Sequence, residues 1–119
     1  MATIKQTLDE LMTVDGAMCA SVVDSNNGMM LGSVGSGVDL EMAAAGNTEV
    51  VRAKLKTMRS LGLNDVIEDI LITLGRQYHI IRPMSRKEGV FIYFVLDKSK
   101  ANLALARRKA AEVEKDLSF

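Results

Sequence analysis

The chain has 119 residues, about the size of one ordinary domain, and can bury a core without disulfides or metals. Fifteen Lys and Arg balance fifteen Asp and Glu, so no net field draws it to nucleic acid or to an anionic membrane surface. The single cysteine, Cys19, cannot form an internal disulfide, and no Cys/His cluster has metal-ligand spacing. No run approaches the roughly 20 apolar residues of a membrane helix, and the first residues lack the apolar stretch of a signal peptide. The expectation is a single domain over residues 1–119 in a reducing, cytoplasmic compartment, with no membrane insertion, no nucleic-acid partner and no cofactor.

Thr3 and Gln6 have capping-box spacing, and Ile4, Leu8, Leu11 and Met12 then recur at helical intervals, which predicts a helix from about Thr3 to Met12. Val14, Asp15 and Gly16 break it. Ala17 to Asp24 and Met29 to Val34 read as strands of a hairpin joined by Ser25-Asn26-Asn27-Gly28, whose Asn and Gly tolerate positive φ. Met29 and Met30, adjacent on one strand, cannot both point inward. Asp39 can cap a helix running to about Ser60, with Gly62 marking its end.

That middle helix is unusual. At ~100° per residue, its apolar positions spread over an arc of roughly 220°, against the ~100° stripe a helix needs to lie on its own sheet. Leu40, Met42, Ala43, Ala44, Gly46, Val50, Val51, Ala53, Leu55, Met58 and Leu61 make up the arc, interrupted by Asn47 and Lys54. Glu41, Glu49, Arg52, Lys56 and Arg59 gather on the remaining face, with Ala45 and Thr48 among them. The surplus apolar surface points to a contact beyond the helix's own sheet, and the small residues Ala43 to Gly46 would let another backbone come close.

Val66 to Leu74 and Gln77 to Arg82 read as further strands, separated by a Gly75-Arg76 turn, the second closed by Pro83. Val90 to Leu96 (VFIYFVL) is apolar throughout, as befits a central strand covered on both faces. Asp97 or Ser99 starts a last helix, in which Leu103, Ala106, Ala110, Val113 and Leu117 form one apolar face. The order α-β-β-α-β-β-β-α has short strand-to-strand links, so neighbouring strands run antiparallel. The middle helix covers one face of the sheet, and the first and last helices cover the other.

Catalytic chemistry is sparse. His79, the only histidine, lies inside a strand, and no nucleophile can be placed beside it. Cys19 sits in an apolar-leaning strand and reads as a buried structural thiol. Gly35-Ser36-Gly37 lacks the ending of a phosphate-binding P-loop. Asp65, Glu68 and Asp69 lack calcium-loop spacing, and Arg107-Arg108-Lys109 is too small a basic group for nucleic acid. The chain is therefore expected not to be an enzyme.

Four pieces in order carry a resemblance. In VDGAMCASVVDSNNGMML, Gly16, Val23, Asp24, Gly28 and Leu31 stand at pattern positions. DLEMAAAGN opens the middle helix, and QYHIIRPM forms the fourth strand. In the last stretch Asp97, Ala101, Asn102, Leu103, Ala106 and Arg107 follow a "D…aNl…aR" pattern. Together they resemble the Roadblock / dynein light chain family over nearly the whole length. The resemblance implies a profilin-like α/β (α+β type) fold, a five-stranded antiparallel sheet between helices. It also implies a homodimer in which the third strands pair edge to edge and the second helices pack together. Ala43, Gly46, Val50, Val51, Ile70 and Ile72 are then the expected dimer contacts.

By the same resemblance, the expected function is that of a non-enzymatic interaction module, a regulator or scaffold of a small Ras-like GTPase. Glu41, Thr48, Glu49, Arg52, Lys56 and Arg59 are the candidate partner contacts. No arginine finger can be placed, so the expectation does not extend to GTPase activation and leaves activating, scaffolding and simple binding open. The alternatives are a motor light chain of the dynein type and, ranked last, a small-ligand sensor.

Overall fold

A computed structural model describes all 119 residues. The elements are α1 (Ile4–Leu11), β1 (Ala17–Asp24), β2 (Met29–Gly35), α2 (Leu40–Ser60), β3 (Ile70–Thr73), β4 (Gln77–Pro83), β5 (Val90–Asp97) and α3 (Leu103–Asp116). The strands form one antiparallel sheet in the order β2-β1-β5-β4-β3. The predicted fold class is the one observed.

Each helix starts where a side chain can serve its unpaired N–H groups. Thr3 accepts from the Gln6 N–H, and the Gln6 side chain accepts from the Thr3 N–H, completing the capping box. Asp39 accepts from the Met42 N–H at the start of α2. The last helix departs from expectation. Asp97 instead closes a turn, accepting from both the Ser99 N–H and its hydroxyl, and Asn102 caps α3 through the Leu105 N–H. The apolar face of α3 was legible, but several polar residues competed for its cap.

β5 occupies the centre, and all of Val90 to Leu96 is buried. Alternate side chains go to opposite layers. Val90, Ile92, Phe94 and Leu96 pack with Leu8 and Leu11 of α1 and Ala106, Ala110 and Val113 of α3. Phe91, Tyr93 and Val95 pack with Ala44 and Val51 of α2. A strand with two buried faces needs no polar side, which is why this one reads as an unbroken apolar run. Met30 packs on the α2 side while Met29 stays exposed, so the two methionines do divide.

β3 is shorter than the predicted Val66–Leu74 strand. Ile70 pairs with Ile81, so the same register continued backwards would set Glu68 against Pro83. Proline has no N–H to extend the ladder. The chain therefore leaves the sheet edge, and residues 65–69 run as irregular structure, anchored where Asp69 takes two hydrogen bonds from Arg107 of α3, at 2.9 and 2.8 Å. Hydrophobicity alone could not place that boundary, because Val66 and Ile67 are as strand-like as the residues after them.

Two glycines set the sheet's corners. Gly35 ends β2 at φ +80°, and a Cβ there would lie 2.2 Å from the Met18 carbonyl oxygen. Gly16, at φ +83°, enters β1 with room for no Cβ against the Ala101 backbone, 2.8 Å away. Both need a residue that adopts positive φ without a side chain.

Candidate functional site

The middle helix α2 carries two apolar stripes rather than one broad arc. Ala44, Thr48, Val51 and Met58, at intervals of four, three and seven residues, share one helix face and are buried against the chain's own sheet. Met42, Gly46, Val50, Ala53 and Leu61 share the far side, at intervals of four, four, three and eight residues, and are all exposed. Met42 is 73% exposed and Leu61 65%. Each stripe alone fits one helical contact. Nothing within the chain covers the outer one.

This division corrects the expected contact set. Val51 belongs to the inner stripe, only 4% exposed, and packs on Val23, Phe91 and Tyr93's layer. It cannot reach a second molecule. Val50, one residue away, is on the outer stripe. Gly46 is exposed, with nothing beyond its own helix turn within 4 Å of where its Cβ would stand. Ala43 lies between the stripes, half-buried against the inner core. Ile70 and Ile72 are half-buried on β3, whose outer edge has no neighbouring strand.

Thr48 also moves. It is 3% exposed, and its hydroxyl donates to the Ala44 carbonyl at 2.7 Å. This is how a buried helical Thr is satisfied, and it removes Thr48 from any polar contact face. The other five candidates, Glu41, Glu49, Arg52, Lys56 and Arg59, are exposed along a flank beside the outer apolar stripe. Arg52 is the most constrained of them. Its guanidinium donates to the Asn26 carbonyl in the β1–β2 turn at 2.9 Å and lies 3.9 Å from Glu49. The helix thus presents an apolar stripe with a charged border, one residue of which is braced by a loop.

The α2-side layer also holds a polar network that sequence reading did not reveal. Tyr93, 2% exposed, meets Nδ1 of His79 at 3.0 Å, and Nε2 of His79 meets the Gln77 side-chain oxygen at 2.8 Å. The two rings stack edge to face at 5.5 Å. Burial pushes His79 below its ordinary 6.5 and Tyr93 above its ordinary 10, favouring the neutral form of each. Cys19 in the same layer is fully buried, and burial raises its thiol pKa as well. Alternation along β4 and β5 puts His79 and Tyr93 on one face, but only the strand register makes them neighbours. Register is not visible in a single sequence.

Among solved structures, Myxococcus xanthus MglB superposes with a TM-score of 0.83 at 18% identity, over 95% of this chain and 89% of that one. A Roadblock/LC7 domain from Streptomyces avermitilis gives 0.81 at 12% identity, over 97% and 94%. A structure described as MglB with tetrameric arrangement gives 0.72 at 17%, over 95% and 88%. The chain has the Roadblock/LC7 fold. No family model and no curated protein matches its sequence.

Proposed function

We propose that this chain is a non-enzymatic, homodimeric interaction module that regulates or scaffolds a small Ras-like GTPase. The observations that carry the reading are the second, uncovered apolar stripe of α2 and the open edge of β3. Packing the outer stripes of two copies would bury Met42, Val50 and Leu61, and pairing β3 with β3 would satisfy backbone groups that otherwise invite aggregation. Two parallel charged borders would then stand side by side as a platform, with Glu41, Glu49, Arg52, Lys56 and Arg59 repeated by symmetry. The resemblance noted in the sequence supplies the kind of partner, a small GTPase. The tetrameric arrangement described for one MglB supports self-association as a habit of the fold.

Two features favour binding over catalysis. Both ring nitrogens of the only histidine are engaged by Gln77 and Tyr93. The only thiol is buried, with its pKa raised. No helix is long and apolar enough to cross a membrane.

Sedimentation of the wild type and Val50→Arg tests the assembly: a dimer that becomes a monomer with an unchanged circular dichroism spectrum supports it. Retention of small GTPases from the source lysate, loaded with GTP analogue or GDP, tests the partner. Retention that depends on the nucleotide, and is lost in Lys56→Glu/Arg59→Glu, supports the platform. A Val50→Arg dimer identical to wild type, or retention indifferent to the charged border, refutes the corresponding half.

A further inference from the structure

We propose that the groove between the C-terminal half of α2, the 65–68 segment and the β4–β5 hairpin takes an extended segment of a partner protein, one that alternates apolar with Lys or Arg side chains. It is a second site, on the opposite side of α2 from the outer stripe, and does not rest on the dimer or on the GTPase.

The groove exists because β3 starts late. With Pro83 unable to extend the ladder, residues 65–68 stand away from β4 and leave a cavity of about 650 Å³. That volume lies within the roughly 300–1,000 Å³ usual for ligand sites. Leu55, Val66, Met84 and Phe91 give it an apolar lining, and Val66, 78% exposed, has nothing over it.

One wall is built for hydrogen bonding. Glu114 is 1% exposed on α3, and its Oε2 accepts from the Ser85 N–H at 3.2 Å and hydroxyl at 3.0 Å. Its Oε1 accepts from Nε of Arg82 at 3.1 Å. This pair fixes the guanidinium by one edge, leaving the Arg82 side chain 15% exposed. Its η nitrogens make no hydrogen bond within the chain. Standing at the wall of the cavity, they are free to donate to an acceptor from outside.

The rim decides which acceptor. Asp65, Glu68 and Glu88 line it and form no ion pair, and against them stands one free ammonium, Lys115. A free anion would meet a negative rim on its way to Arg82. A wholly apolar ligand would leave the donors unmet. A polypeptide segment satisfies all three parts. Its carbonyl oxygens accept from Arg82, its apolar side chains lie on Leu55, Val66 and Phe91, and its cations face the carboxylates. An extended strand places such side chains alternately on opposite sides, which matches an apolar floor beneath a charged rim.

The test selects binders from a displayed library of random 12-residue peptides against the whole protein. The winning peptide is then synthesised and titrated, with amide chemical shifts recorded. The expected winners interleave Lys or Arg with apolar residues and shift the amides of 65–68 and 82–90. Affinity should fall about tenfold in Glu68→Lys/Glu88→Lys, two exposed positions whose reversal leaves the core untouched. It should be unchanged in Val50→Arg. Winners without basic residues, shifts on the outer face of α2, or undiminished affinity in the double reversal overturn the proposal. So does loss of binding in Val50→Arg, which would place the peptide at the interface between copies. Acetate and phosphate, titrated separately, should leave the Arg82 signals in place; millimolar shifts there would assign the groove to a small anion instead.

Discussion

Gly46→Leu separates the stability of the single chain from the proposed self-association. In the middle of a long helix glycine is costly, because it loses the most backbone freedom on folding. Nothing beyond its own helix turn lies within 4 Å of the position its Cβ would occupy, so a leucine there meets no clash within the chain. The gain in helix propensity from Gly to Leu is about 0.7 kcal/mol, which for a domain of this size raises Tm by roughly 3 °C. The same substitution should weaken a helix-to-helix dimer. Gly46 lies between Met42 and Val50 on the outer stripe, where a missing side chain lets two helix axes approach at the short end of the usual ~8–10 Å range. Forcing a leucine into such a contact costs about 1–3 kcal/mol, or about 5- to 150-fold in Kd. Thermal unfolding at concentrations below the dissociation constant reads the first effect, since a dimer's Tm depends on concentration. Sedimentation equilibrium reads the second. A variant that is less stable as a monomer would contradict the open helical setting of Gly46. A variant that dimerises as tightly as wild type would remove the outer stripe from the interface.

Glu114→Ala strands the Arg82 guanidinium and the Ser85 donors in a nearly buried setting, and urea unfolding should show a loss of about 3 kcal/mol; a loss within experimental error would mean that water replaces the carboxylate. Ser21 is fully buried with a hydroxyl that has no hydrogen-bond partner, so Ser21→Ala should be neutral or stabilise by up to about 1 kcal/mol in the same assay. A clear destabilisation would reveal a partner for that hydroxyl. His79 has its pKa held down by burial, so the folded chain binds fewer protons than the unfolded one as pH drops. Its share of stability is intact above pH 6.5 and is lost as pH falls below that value, levelling off beneath the folded pKa. His79→Gln should flatten this part of the stability profile, and an identical acid slope in wild type and variant would count against the buried neutral imidazole.

The fold was readable because its strongest signals are local. A capping box, a hairpin turn, a two-faced apolar strand and a clean helical repeat each have one structural solution, and together they leave one element order. The errors fell where two local signals compete or where the deciding partner is distant. Asp97, Ser99 and Asn102 can all cap a helix, and only the folded chain shows Asn102 doing so. Val66 and Ile67 look like strand, but the residue that refuses them a ladder is Pro83, on a different strand. Asp69 and Arg107 each look like solvated charge, and only the folded chain makes them partners.

The contact candidates on α2 show the same logic at finer grain. An apolar arc of roughly 220° is compatible with one wide face or with two narrow stripes at different angles, and composition cannot distinguish them. The helix's tilt on the sheet does, and it does so between adjacent residues: Val51 goes to the core and Val50 to the outside. A charge at either position would abolish a dimer in a crude assay, but for different reasons. Val51→Arg would bury an unpaired cation in the single chain and unfold it, so its loss of dimer would say nothing about the interface. Val50→Arg leaves the inner stripe intact, and any dissociation it causes belongs to the contact between copies. The inner stripe packs on the sheet, and the outer stripe of Met42, Gly46, Val50, Ala53 and Leu61 stays exposed. Its apolar character is what the proposed contact between copies would use.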